Sequence, residues 1–195
     1  MHALPSVVRL PEQPTDPDPI TWTYSVAPAR PLALPGACPS PGARASLVAH
    51  WRASAAAGEL LSREHATDAE RVLCPPAFTP AVVALLTHVA EHFGVPFARS
   101  STRATVARYA PGSSRDWHVD AAPDHPFSSR WTVAFSVLLN DDFAGGDLEV
   151  HPTGPVALRP GDGVGFTSRT PHRVWPVEHG ERFVLLGFGG FGEAL

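Results

Sequence analysis

The sequence predicts a mainly β protein, an antiparallel sandwich or jelly roll, with its helices gathered ahead of the sheet. Three observations carry this reading. Eight short β-rich runs, "ATVARYA", "DWHVD", "WTVAFSVLLN", "GDLEVHP", "PVALRP", "GVGFTS", "HRVWPV" and "RFVLLGF", come after Pro96 with Gly, Pro and Asp between them and no helical periodicity. Closely spaced strands with turn signals between them are the mark of an antiparallel β architecture. The helical signals all lie before Pro96, and the chain has 195 residues with 44% hydrophobic and 17% charged side chains. That is the length and composition of one globular domain, able to bury roughly two-thirds of its unfolded surface.

Residues 1–42 carry ten of the 22 prolines and read as an extended arm. Within them only "ITWTYSVA", where Trp22, Tyr24 and Val26 alternate, has strand character. Residues 43–97 read as helical support. From Arg44 to about Leu73 the alanine-rich sequence favours a helix broken near Gly58. The run "TPAVVALLTHVAEHFG" predicts a second helix: Thr79 as cap, Pro80 at the first turn, Val82, Leu85, Leu86, Val89 and Phe93 on one apolar face, and Gly94 at the end. Residues 98–195 form the β core, and no internal repeat is detectable.

The formal net charge is −4 and every basic residue counted in it is an arginine. Such a chain has no global basic field of the kind that draws phosphate backbones, so nucleic acid is not the expected partner. Cys38 and Cys74 form no CxxC pair, and "MHALPSVVRLPEQP" lacks a continuous apolar segment of the secretory kind. A reducing, cytoplasmic setting is the expectation. No run reaches the roughly 18 apolar residues of a membrane span.

The chemistry concentrates in "DWHVDAAPDH" and in two later strand-like runs. On a strand, His118 and Asp120 leave the same face, because alternate residues do. His172 opens a later run that a jelly roll can lay alongside the first. Two histidines and one carboxylate on one face are the ligand set of a non-haem iron(II) site with open positions. Arg182 then heads the apolar run "RFVLLGFGG". A guanidinium in such a strand is costly unless it meets an anion, and its planar fork suits a carboxylate.

Taken together, "RYAPG", "WHVD", "LLNDDFAGGDLEV", "RPGDGVGF" and "PHRVWPVEHGER" resemble the iron(II)/2-oxoglutarate-dependent dioxygenases, specifically the prolyl 4-hydroxylase-like branch, in order and spacing over roughly residues 105–188. The resemblance implies a double-stranded β-helix (jelly-roll) core, flanked here by the N-terminal helices. It implies Fe(II) held by His118, Asp120 and His172, and 2-oxoglutarate gripped at its distal carboxylate by Arg182. Tyr109 and Thr132 match positions that help to seat this co-substrate, and Asn140, Gly145 and Gly146 match a structural turn at the barrel mouth. The implied reaction uses O2, with ascorbate as an activator. It hydroxylates an unactivated C–H bond of an amino acid, a metabolite or a peptidyl side chain and releases succinate and CO2. Asp120 favours hydroxylation, or desaturation, over halogenation, since related halogenases carry a small residue there.

Two other functions stand beside this one. "RYAPGSSRDWHVD" also resembles the AlkB-like demethylases of nucleic acid, but the second arginine of that group falls on Phe188 here. A non-catalytic jelly-roll binding module would be expected to have lost part of the triad or its arginine, and both are intact. For substrate contacts the candidates are Arg115 and Arg130, which bracket the loop "DWHVDAAPDHPFSS", and His125 within it. Trp117 alternates with His118 and should point away from the metal. His88 and His92 fit the inverted zinc-helix string "HVAEH" but read as solvated helix residues, and His151 and His179 match no ligand position.

Overall fold

The computed structural model describes residues 7–9, 21–23, 29–61, 66–121 and 128–191. Strands β1 (Val7–Arg9) and β2 (Thr21–Thr23) pair with each other. The remainder of the expected strand "ITWTYSVA", with Tyr24 and Val26, lies outside the described residues. Next come β3 (Leu32–Leu34), α1 (Pro41–Ala56), β4 (Glu70–Leu73) and α2 (Thr79–Phe93). Ten strands complete the order: β5 (Arg103–Tyr109), β6 (Arg115–His118), β7 (Trp131–Leu138), β8 (Phe143–Gly145), β9 (Leu148–Val150), β10 (Gly154–Pro155), β11 (Gly163–Thr167), β12 (His172–Val174), β13 (Val177–Gly180) and β14 (Arg182–Gly190).

Helix α1 starts where Ser40 accepts a hydrogen bond from the Ala43 amide, and the chain leaves it through Gly58 at φ +78°. The expected continuation of helix to Leu73 does not occur. Glu70–Leu73 is a strand instead, with Arg71 opposite Ala107 and Val72 opposite Val106. Past Gly58 the alanine run is spent, and an unpaired edge on β5 offers the chain a ladder that local propensity could not anticipate. Helix α2 matches its apolar pattern, burying Val82, Leu86, Val89 and Ala90 and ending at Gly94, φ +62°. Thr79 does not cap it. A short 3₁₀ turn, Pro76–Phe78, runs directly into the helix, so Thr79 already has helical dihedrals and no side chain caps the end.

The strands form a six-stranded sheet, β3-β11-β7-β14-β5-β4, a four-stranded sheet, β10-β9-β12-β6, and the pair β13-β8. Every pairing among the described residues is antiparallel. The two larger sheets face each other across Ala134, Leu138, Val164, Phe166, Val184 and Phe188 on one side and Leu148, Val150 and Val174 on the other. This is the jelly roll. Both helices cover the far face of the six-stranded sheet, where Leu47, Trp51, Leu86 and Val89 meet Val106, Phe135, Phe183 and Leu185. Gly165 permits this approach, since a Cβ there would overlap the Val89 side chain.

Strand β14 lies at the centre, between β7 and β5, and is covered on both faces. Phe183 and Leu185 point to the helices, while Arg182, Val184 and Phe188 point between the sheets. That double burial explains the unbroken apolar run "FVLLGF", and it sets Arg182 on the inner face by simple alternation. Strand β3 pairs with β11 and closes one sheet edge. No helix among the described residues is long and apolar enough to cross a membrane.

Both cysteines are free, Cys38 buried and Cys74 half-buried. Burial pushes both thiols up, Cys74 to about 11. A raised pKa keeps the thiolate scarce until the pH approaches it. At pH 8, iodoacetamide is therefore expected to alkylate Cys74 in the native protein on the order of a hundredfold more slowly than an ordinary free thiol. Alkylation rates followed by peptide mass on native and urea-unfolded protein check this, and equal rates would contradict the packing.

Candidate active site

His118 ends β6 and His172 begins β12, and the two residues are direct partners across that ladder, their ring centroids 4.2 Å apart. Asp120 lies just beyond β6 rather than on it. The Ala121 amide donates to the Ser168 carbonyl at 2.8 Å and turns the chain back, so the carboxylate still converges on the rings. Asp120 Oδ1 is 3.8 Å from His118 Nε2 and 3.7 Å from His172 Nε2. These separations are too long for hydrogen bonds. They suit a shared ion, because metal bonds of roughly 2.0–2.2 Å leave neighbouring donors about 3–4 Å apart.

The tautomers are set by the backbone. His118 Nδ1 lies 2.8 Å from the Asp116 carbonyl and His172 Nδ1 3.0 Å from the Thr170 carbonyl, so each Nδ1 carries the proton and each Nε2 lone pair faces Asp120. Burial holds His118 well below the usual imidazole range, helped by the charges of His172 and Arg115. Burial also raises Asp120, against the opposing pull of His172, Arg71 and Arg115. A neutral imidazole is the form that binds a metal, and a buried carboxyl with raised pKa favours a cation beside it. The donor chemistry thus fits the iron(II) set of two histidines and one carboxylate, all within 4.8 Å.

On the outer side of the same sheet, the Arg173 guanidinium lies between two indole rings, 4.7 Å from the centroid of Trp117 and 3.8 Å from that of Trp175. Its Nε and Nη2 both reach Glu149 Oε2, at 2.8 and 2.7 Å, and Trp175 Nε1 donates to the same oxygen at 2.9 Å. Trp117 and Arg173 are the chain neighbours of His118 and His172. This stack therefore ties β6, β9 and β12 together directly behind the two imidazoles.

Inside, a cavity of about 600 Å³ holds the triad together with Tyr109, Arg115 and Arg182. Arg182 is 3% exposed. It faces Tyr109 across the ladder, with Cζ 5.3 Å from the ring centroid. Among the described residues its guanidinium has no hydrogen bond and no ion pair. Burial lowers its pKa, while Tyr109 and Asp147 pull the other way. A buried guanidinium with no carboxylate at hydrogen-bond distance, open to a cavity, is a receptor for an anion from outside. Gly146, at φ +66°, makes room for it: a Cβ there would sit 3.0 Å from Arg182 Cδ and 2.8 Å from Val177 Cγ2. Asn140 fixes the strand around it, donating to the Glu181 carbonyl at 2.6 Å and accepting from the Phe183 amide at 2.7 Å.

The remaining expected residues divide. Thr132 is not brought to the cavity, because the ladder shifts register near Gly190 and the Thr132 hydroxyl donates to the Pro96 carbonyl at 2.6 Å. Arg115 lines the cavity but is bound by Asp68, Nη1 to Oδ2 at 2.6 Å. Arg130 is exposed in a 3₁₀ turn outside the cavity, and His125 lies outside the described residues. His88, His92 and His179 are exposed. Five polar cavity residues carry no mark in the sequence reading: Arg71, Arg103, Thr105, Ser128 and Ser136. Thr105 shares strand parity with Tyr109, which was a usable signal, and its buried hydroxyl has no partner. Arg71 was hidden because its strand was read as helix.

A jelly roll that gathers two histidines, a carboxylate and a buried arginine around one cavity has the donor set of a non-haem iron oxygenase. Residues 104–189 match the family described as the 2OG-Fe(II) oxygenase superfamily. A PKHD-type hydroxylase of Synechococcus sp. (strain CC9605) is 36% identical over 91 residues, covering 43% of this chain and 39% of that protein. A PKHD-type hydroxylase of Sphingopyxis alaskensis is 38% identical over 93 residues, covering 43% and 41%. The chain spans about two fifths of the length of these curated relatives. A Pseudomonas putida prolyl-4-hydroxylase crystal structure shares the fold with a TM-score of 0.68, over 83% of this chain and 92% of that one, at 23% identity.

An unpartnered buried charge also costs stability. Replacing Arg182 by Met is expected to stabilise the ligand-free protein by on the order of 1 kcal/mol, raising the melting temperature by about 2–4 °C. Thermal denaturation by circular dichroism in chelator checks this. A lower melting temperature would mean that the guanidinium has an internal partner.

Proposed function

We propose that this protein is an Fe(II)- and 2-oxoglutarate-dependent dioxygenase that hydroxylates a C–H bond of a small substrate, an amino acid, a metabolite or a peptidyl side chain. The observation that carries the reading is the buried Arg182, with no carboxylate at hydrogen-bond distance, in one cavity with two histidines and an aspartate. Either feature alone has simpler explanations, and together they match a metal with an anionic co-substrate. In the balance of the reaction, one oxygen atom of O2 enters succinate and the other enters the substrate hydroxyl, with CO2 released.

On this reading His118, Asp120 and His172 hold the metal, which supplies the O2 chemistry when bound. Arg182, backed by Tyr109, holds the distal carboxylate of 2-oxoglutarate. The walls formed by Leu148, Phe166, Val174, Val184 and Leu186 keep water from the reacting centre. Asp120 takes the coordination position that a halide would need. Phe188 faces the cavity and stacks on Trp131 with centroids 4.6 Å apart, where nucleic-acid demethylases place a second arginine. That supports a small substrate over nucleic acid.

The test needs no substrate. Anaerobic protein with Fe(II) is expected to develop a visible charge-transfer absorption on addition of 2-oxoglutarate, and to release succinate slowly in air. Asp120→Ala should weaken Mn(II) binding by roughly 100-fold or more. Arg182→Gln should keep Mn(II) binding within a few-fold but weaken 2-oxoglutarate by roughly 100-fold. Full metal uptake by Asp120→Ala would overturn the assignment of the ligands.

A further inference from the structure

Strand β4 is one edge of the six-stranded sheet, and its register decides where its side chains go. Arg71 pairs with Ala107, whose methyl group belongs to the core between the sheets, while the flanking Val72 pairs with Val106 in the core under the helices. Arg71 therefore points inward, to the same face as Thr105 and Tyr109, and it lines the cavity that holds the triad. Its Nε is shut off from solvent and has no hydrogen-bond partner. Among the described residues its guanidinium has no ion pair. Its charge nevertheless reaches His118 and Asp120, so it sits close to the reacting centre.

The charge of the loaded site leaves this arginine over. An iron(II) ion with Asp120, and a doubly charged co-substrate with Arg182, cancel. Arg115 is neutralised by Asp68 at 2.6 Å, and Arg103, which also borders the cavity, is exposed to solvent. Arg71 remains a half-buried cation with nothing opposite it, and such a group calls for an anion. Arg182 does not compete for the same one. Arg71 and Arg182 stand two strands apart, so their Cα atoms are separated by roughly 10 Å or more. An inward charge on an edge strand can also serve to discourage edge-to-edge pairing. Here, however, the Leu61 amide already meets the Arg71 carbonyl at 2.9 Å, so this edge is in part covered by the chain itself.

We infer that Arg71 is the substrate anchor of this site: the molecule hydroxylated carries a carboxylate, which Arg71 holds while the co-substrate occupies Arg182. This rests on the oxygenase reading above. The carboxylate can belong to a free small acid or to an acidic peptide, and the binding chemistry is the same for both.

The experiment is calorimetric titration of protein loaded with Mn(II) and N-oxalylglycine. The probes are free amino acids, short monocarboxylic acids and acidic tetrapeptides, each compared with its carboxamide. At least one acid is expected to bind roughly tenfold tighter than its amide, and whether it is a free acid or a peptide identifies the source. Arg71→Gln should erase that preference while Mn(II) uptake is kept or tightened and N-oxalylglycine uptake stays within a few-fold. Arg71→Lys, which keeps the charge but not the fork, should weaken the acid several-fold, and Arg103→Gln should change nothing. A panel with no acid preferred over its amide, or a preference that survives in Arg71→Gln or is undiminished in Arg71→Lys, overturns the inference alone. Failure of the wild-type protein to take up Mn(II) and N-oxalylglycine overturns the oxygenase reading as well.

Discussion

A guanidinium on the inner face of a strand that is covered on both sides has to be answered by something, and most of the architecture around Arg182 bears on that need. The strand is the centre of the larger sheet, with helices on one face and the second sheet on the other. Turning Arg182 to the other face would set it under the helices and send Phe183 and Leu185 into the cavity. The fold therefore keeps a cation buried at the cavity wall, and the groups around it hold its position rather than pair with it at hydrogen-bond distance. Asn140 clamps the peptides on either side of it, at the Glu181 carbonyl and the Phe183 amide. Arg108 bridges Glu70 and Glu181, each at 2.7 Å, and so ties β4 to the start of β14. Gly146 leaves the space that any side chain would take. Stability is forgone at this point in favour of a preformed anion receptor, as binding sites commonly require.

The smaller sheet works by a comparable division between its faces. Inside, two imidazoles and one carboxylate face each other at distances too long for hydrogen bonds and suited to a shared ion. Outside, the charged group of the same strands is fully answered, since Arg173 is enclosed by Trp117 and Trp175 and held by Glu149. The contrast is informative. Where this protein uses charge for structure, it pairs it at hydrogen-bond distance. Within the cavity, Arg182 and Arg71 carry no such partner, and the chemistry proposed for the site rests on that difference.

Much of the site was legible in the chain because it depends on local spacing. The pair His118 and Asp120 and the downstream His172 and Arg182 sit on short strands whose alternation can be counted from the residues alone. What was not legible depended on register. Thr132 seemed well placed by position, yet a shift in the ladder near Gly190 turns its hydroxyl to Pro96. Arg71 was invisible because an alanine-rich stretch was carried too far as helix, and the strand Glu70–Leu73 exists only by pairing with β5. Asp120 was expected on a strand and lies just past its end, where the turn to Ser168 directs it.

By itself, then, the amino-acid order determined the β core with helices ahead of it, the likeness to an oxygenase, and the set of residues able to hold a metal and an anion. These rest on periodicity of two, on turn residues and on donor chemistry, all of which are local. The tertiary structure decided which of those groups share one cavity, which cations are already paired, and which face the edge strand presents. Those are questions of cross-strand register and burial, set by distant segments competing for the same edge and the same core, and no local pattern encodes their outcome.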